Sequence, residues 1–218
     1  MADTQVEICN MALGAIGISE RIEAITDDNP EADACELVYD TILDKALSKF
    51  DWGFARRLIT LTTEAGTPPE PWGYQYQLPA VSVMVRALRI DDQRTSRQSR
   101  ARTPFTTYTN ASGARVLLTS IQDAKLWYTH RDTNVPIYPE WFVTYLSWEL
   151  AAEIAGPLTS NEKLQQRAEQ GALMKLSEAI SRDAESEQED REPEASWVEF
   201  RDSDIELRTG TPAHDYLP

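Results

Sequence analysis

Apolar residues recur at helical spacing near both ends of the chain and alternate with polar ones in its middle. Thr4-Gln5-Val6-Glu7 has the form of a capping box, in which Thr and Glu side chains satisfy orphan amides at a helix start. Val6, Cys9, Leu13 and Ile16 then follow on one face, and Gly17 is placed to end the helix in a left-handed conformation. Asn29 and Pro30 suit the N-cap and first position of a second helix, with Glu31 and Asp33 at the positive end of its dipole. Its stripe is Val38, Ile42, Ala46 and Phe50, widened by Leu43 and Leu47.

The period changes after Phe54. Residues 58–63 are short and β-branched, and Pro68-Pro69-Glu70-Pro71 excludes helix and central strand. Strict alternation over 74–78 predicts a half-buried strand. Further strands are expected over 81–90, 105–109, 114–119 and 124–130, with 110–113 as the turn between two of them. Helix resumes at Pro139-Glu140, carrying Trp141, Phe142, Tyr145, Leu146, Leu150 and Ile154, and is expected to stop at Gly156-Pro157. Thr159 and Glu162 form a second capping box, opening a helix with Leu164, Ala168, Ala172, Leu176 and Ile180 inward.

The pattern predicts an α+β protein, a helical bundle with an inserted antiparallel β domain, as a sandwich or open barrel, and an extended C-terminal tail. The first helical pair occupies 1–56, the β domain 57–136, the second pair 137–190 and the tail 191–218. Neither helical pair carries enough apolar surface to stand alone, so the two are expected to pack together. The aromatic runs Phe50-Asp51-Trp52-Gly53-Phe54 and Trp141, Phe142, Tyr145 and Trp148 are expected to meet as the joint between bundle and insert.

Charge sharpens this division. The 218 residues carry a formal charge of −15, which disfavours general binding to nucleic acid or an anionic membrane. The first 50 residues hold 11 acids and 3 bases, 51–135 hold 7 and 11, and the remainder 18 and 7. An acidic frame thus surrounds a mildly basic insert. The stretch 183–206 has 11 acids, 2 bases and few apolar residues, and is expected to order only against a partner. No apolar run reaches the ~18–20 residues of a membrane span, and the start has no basic n-region of a signal peptide. A reducing cytoplasm is the expected site of synthesis.

Candidate chemistry is sparse. Two cysteines are too few for a disulfide framework or zinc site, and Cys9 and Cys35 fall on or beside apolar helix faces. Two histidines, His130 and His214, form no cluster, and no nucleophile elbow, P-loop, HExxH or dinucleotide fingerprint is present. Asp27-Asp28 and Asp91-Asp92 lie in polar, turn-like sequence, where a carboxyl group keeps its solvation and lacks the raised pKa of a general acid. Asn110-Ala111-Ser112 is a turn that happens to match a glycosylation sequon. The arginines 86, 89, 94, 97, 100 and 102 read first as a solvated loop between strands, and otherwise as a binding site, for phosphate through bidentate contacts or, in preference to DNA, for an acidic protein partner.

The run Ile8-Cys9-Asn10-Met11-Ala12-Leu13-Gly14-Ala15-Ile16-Gly17, then Asp28-Asn29-Pro30-Glu31-Ala32, Tyr39-Asp40 and Phe50-Asp51-Trp52-Gly53-Phe54-Ala55, resembles the tail tubular protein A family. These are head-to-tail adaptors of short-tailed bacteriophages. Tyr74-Gln75-Tyr76-Gln77-Leu78-Pro79 and Pro139-Glu140 also fit. The resemblance is strongest over 4–56, is supported over 72–90 and 138–156, and does not extend past 190. It implies a structural virion protein without catalytic residues or cofactor: a homo-oligomeric ring, by family a dodecamer, docked on the portal protein. The ring would receive the tail nozzle or next tail protein and surround DNA that it does not bind by sequence. Trp197, Phe200, Tyr216 and Leu217 are candidate anchors on the portal or a neighbouring subunit. Arg94, Arg97, Arg100 and Arg102 are candidate contacts to a tail component or adjacent subunit. The alternatives are a tail-completion or connector protein of a longer-tailed phage, an acidic inhibitor-type binding module, and a hydrolase with a carboxyl group of raised pKa in a cleft.

Overall fold

The computed structural model describes residues 4–91, 103–110 and 112–186. Those residues form an α+β structure, with four helices and two three-stranded antiparallel sheets among them. Helix α1 spans Gln5–Ala15 behind the Thr4 cap, with both halves of the capping box formed. At its end the Gly17 N–H donates to the Gly14 carbonyl and the Ile18 N–H to the Leu13 carbonyl. This closure needs the left-handed φ of 84° that Gly17 adopts. Asn10 leaves the same helix sideways, accepting from the Ile22 N–H and donating to its carbonyl at 2.9 Å each. That pair pins the following loop and seats Ile22 in the core.

Helix α2, Pro30–Lys49, starts where Asn29 accepts from the Ala32 N–H. Its buried face is Cys35, Tyr39, Ile42, Ala46 and their neighbours. A short 3-10 turn, Gly53–Ala55, leads straight into β1, Arg56–Thr60. That strand begins two residues earlier than the apolar pattern suggests. Arg57 donates to the Phe54 carbonyl and to Asp132, and Arg56 to Asp51, so two polar residues are held extended by their side-chain partners.

The remaining strands are β2 Tyr74–Gln77, β3 Met84–Asp91, β4 Phe105–Thr109, β5 Arg115–Thr119 and β6 Lys125–His130. One sheet has the order β1-β6-β3 and the other β2-β5-β4. Both contribute to one apolar cluster, with Met84, Ile90 and Leu126 from the first and Tyr76 and Leu117 from the second. Gln75 departs from the expected half-buried alternation. It is buried beside Tyr76 because its amide reaches the Ala65 carbonyl at 2.8 Å. In the turn after β4, Asn110 Oδ1 accepts from the Ser112 and Ala114 amides.

Helix α3, Glu140–Thr159, runs through Gly156-Pro157 instead of stopping there. Pro157 stands in the last turn, where its missing N–H costs a single bond. The Thr159 hydroxyl donates to the Ala155 carbonyl, and Ser160, with φ 49°, closes the helix. Thr159 is therefore not the cap of the next helix. Asn161 takes that place, its Oδ1 accepting from the Lys163 N–H at 3.1 Å, ahead of α4, Glu162–Ser186. The start of the acidic stretch is also corrected: residues 183–186 are already helical, and Asp183 is buried.

Helix α4 turns a small-residue face inward, Ala168, Ala172 and Ala179. Trp148 was expected at the joint but lies under Gly171 of this helix, where an added Cβ would overlap Cε3 and Cζ3 of the ring. Gly171→Ala should thus destabilise by about 1–3 kcal/mol through overpacking, although the same change stabilises an exposed helix by up to ~1 kcal/mol. A thermal melt of the variant distinguishes the two signs, and a raised Tm would contradict this packing.

Candidate interaction surfaces

The joint assembles where the helices meet the first sheet. Trp52 is fully buried, with ring centroids 5.3 Å from Phe142, 5.5 Å from Trp141 and 6.0 Å from Tyr145. Its Nε1–H donates to the Ala46 carbonyl at 2.9 Å. Phe54 packs on Phe142 at 4.7 Å. The sequence did not mark the partner from α4. Both carboxylate oxygens of Asp183 accept from the Gly53 N–H at 3.2 Å, so a buried acid caps the 3-10 turn. Only the tertiary structure brings residues 130 positions apart together, and nothing in an acidic run marks one member as buried.

Beneath the joint, Cys9 and Cys35 are both fully buried. Contact between them, together with burial, pushes the Cys9 thiol well above the ordinary thiol range while lowering that of Cys35, and both are sealed from solvent, unlike an accessible reactive thiol. Asp27 accepts from the Glu23 and Ala24 amides at 2.7 and 3.0 Å, which lowers its pKa and fits the expected turn role. Asp91 closes β3, while Asp92 lies outside the described residues. Among the described residues no three His, Cys, Asp or Glu side chains are grouped to hold a metal, and no helix is long and apolar enough to cross a membrane.

Clefts flank the helices. One of about 490 Å³ lies between α1 and α3, lined by Glu7, Asn10, Arg21, Tyr138, Glu140 and Thr144 among others. Glu7 there is engaged as the α1 cap. A second of about 340 Å³, along α2, α3 and α4, holds Lys45 in an ion pair with Glu149 at 2.7 Å. These are grooves of mixed charge between helices.

Two surfaces differ in sign. Along α2, Asp33, Glu36, Leu37 and Asp40 are exposed, with Leu37 81% accessible. On the first sheet, Leu58 lies opposite Trp127, and Trp127 opposite Arg89, whose guanidinium sits 5.3 Å from the indole centroid. Arg131, just after β6, ties the sheet to α2 through Asp44 at 2.6 Å and Asp40 at 3.2 Å.

All eight residues singled out as interface candidates lie outside the described residues: Arg94, Arg97, Arg100, Arg102, Trp197, Phe200, Tyr216 and Leu217. Comparison with protein-family models and with curated proteins finds no match for this chain.

Proposed function

We propose that this chain is a structural protein of a phage virion, an adaptor ring between the portal and the tail nozzle around the DNA exit channel. The observation that carries the reading is where the motif residues lie. Ile8, Cys9, Leu13, Ala32, Tyr39, Trp52 and Ala55, drawn from separate stretches, share one buried core. The motifs thus form one core framework, and their order along the chain resembles that of the adaptor family. In this reading α1 with α2 and α3 with α4 form one bundle, and the two sheets are a small sandwich inserted between the pairs. The acidic helical surface can border DNA without adhering to phosphate. Residues 191–218 serve as a tail whose Trp197, Phe200, Tyr216 and Leu217 anchor on the portal or a neighbour. Arg94, Arg97, Arg100 and Arg102 meet the next tail component or an adjacent subunit.

Co-sedimentation with the portal protein of the same phage tests this reading. The full chain should bind, and a chain ending at residue 190 should keep its helical content while binding at least about tenfold more weakly, ~1.4 kcal/mol. Equal binding by the shortened chain would contradict the role of the tail. No binding by the full chain would contradict the adaptor reading itself.

A further inference from the structure

The outer face of the first sheet is set by its register. Leu58, Trp127 and Arg89 lie directly opposite one another across β1, β6 and β3, as do Thr60, Lys125 and Asp91. Opposed residues of an antiparallel ladder share a face. The neighbouring row, Leu126 with Ile90, belongs to the apolar cluster between the sheets, so the first row points away from it. Leu58 is 43% accessible there. Arg56 and Arg86, both opposite Thr129, continue the face toward α2. The face therefore carries Arg89 and Lys125, with Asp91 opposite Lys125, around an exposed leucine and an arginine-capped indole, while Arg56 is paired with Asp51 and Arg86 donates to the Ser48 carbonyl.

The outer side of α2 has the inverse character. Between residues 28 and 44 there are six acids and no base. Asp33, Glu36, Leu37 and Asp40 fall on one side of the helix by their spacing of three and four. A lone exposed leucine means little. Here each of two leucines lies among charges mostly of one sign, basic at Leu58 and acidic at Leu37. Within one chain the acidic side meets a base at Asp40 and Asp44, both paired with Arg131, and Asp33, Glu36 and Leu37 lie further up the helix. The last turn of α2 is the part that reaches β3, with Ser48 O accepting from Arg86 at 3.2 Å. Leu37 lies eleven residues, roughly 16 Å, further up the helix axis.

We propose that the outer face of the first sheet receives α2 of a second copy of this chain, Leu37 seated beside Leu58 and Trp127, with Asp33 and Glu36 facing Arg89 and Lys125. The surfaces complement each other and not themselves, so the contact is head-to-tail and repeats from copy to copy. Charge complementarity carries the contact itself; its closure into a ring rests on the adaptor reading above.

The test uses two full-length variants, Leu37→Cys and Leu58→Cys, mixed with a short bis-maleimide. Cys9 and Cys35 are buried and leave the engineered thiols to react. The mixture should yield covalent dimer at least about tenfold above either variant alone. Adding Glu36→Lys to the first variant should abolish it, and adding Lys125→Glu to the second should restore it. Equal dimer from a single variant, or none from the mixture, would overturn the contact. Rings of the parent protein without the mixed dimer would overturn it while leaving the adaptor reading intact. Mixed dimer in a protein that ignores its portal would do the reverse.

Discussion

Trp52→Ala should cost about 3–5 kcal/mol, the range for emptying a large aromatic site in a core. The indole has no accessible surface and touches the rings of Phe50, Trp141, Phe142 and Tyr145. It also donates to the Ala46 carbonyl near the end of α2, so its loss leaves a buried acceptor without its donor. For a chain of this length each kcal/mol lowers Tm by roughly 2–4 °C, so a fall of about 6–20 °C is expected. Trp52→Phe, which keeps a ring and loses the hydrogen bond, should fall between the two. A Trp52→Ala protein that melts with the parent would contradict the joint.

Above pH 10 the protein should lose stability steeply. Burial pushes the phenols of Tyr39, Tyr138 and Tyr145 well above their ordinary range, with the charge of Tyr138 adding to it at Tyr39, that of Asp132 at Tyr138 and that of Glu149 at Tyr145. An unfolded phenol ionises near pH 10. Between that value and the folded ones the unfolded chain binds fewer protons than the native one, so stability is full below pH 10 and falls as pH rises. The slope is about 1.4 kcal/mol per pH unit for each phenol, or ~4 kcal/mol for three. Phenolate absorbance from these residues should appear together with loss of helical circular dichroism. Their titration near pH 10 with the helices intact would contradict the burial. Tyr39→Phe should reduce the slope by about a third. It should also stabilise the protein by ~1 kcal/mol at neutral pH, because the Tyr39 hydroxyl is buried without a hydrogen-bond partner among the described residues.

Local chemistry was legible in the sequence. Thr4 with Glu7, Asn29 with Pro30, and Gly17 each act within a few residues, and the structure uses all of them as the sequence predicts. The helix end at 156–162 was misread even locally, since Thr159 bonds back to Ala155 and Asn161 caps α4, and features that depend on distant partners were not legible. Pro157 reads as a stop, yet the last turn of a helix tolerates it when Thr159 and Ser160 satisfy the carbonyls behind it. Gly171 looks like a weak point in α4 until Trp148 is found against it. Asp183 looks like one more solvated acid until Gly53 arrives from the other end of the chain. The basic outer face is illegible for the same reason: Leu58, Arg89 and Trp127 come from three strands and become neighbours only once the register is known.

The native mass of the protein, alone and then mixed with the portal of its own phage, tests the central claim most directly. The account predicts a closed ring in at least one of the two samples, with its copy number read from the mass. A monomer that stays a monomer in the presence of the portal would contradict it.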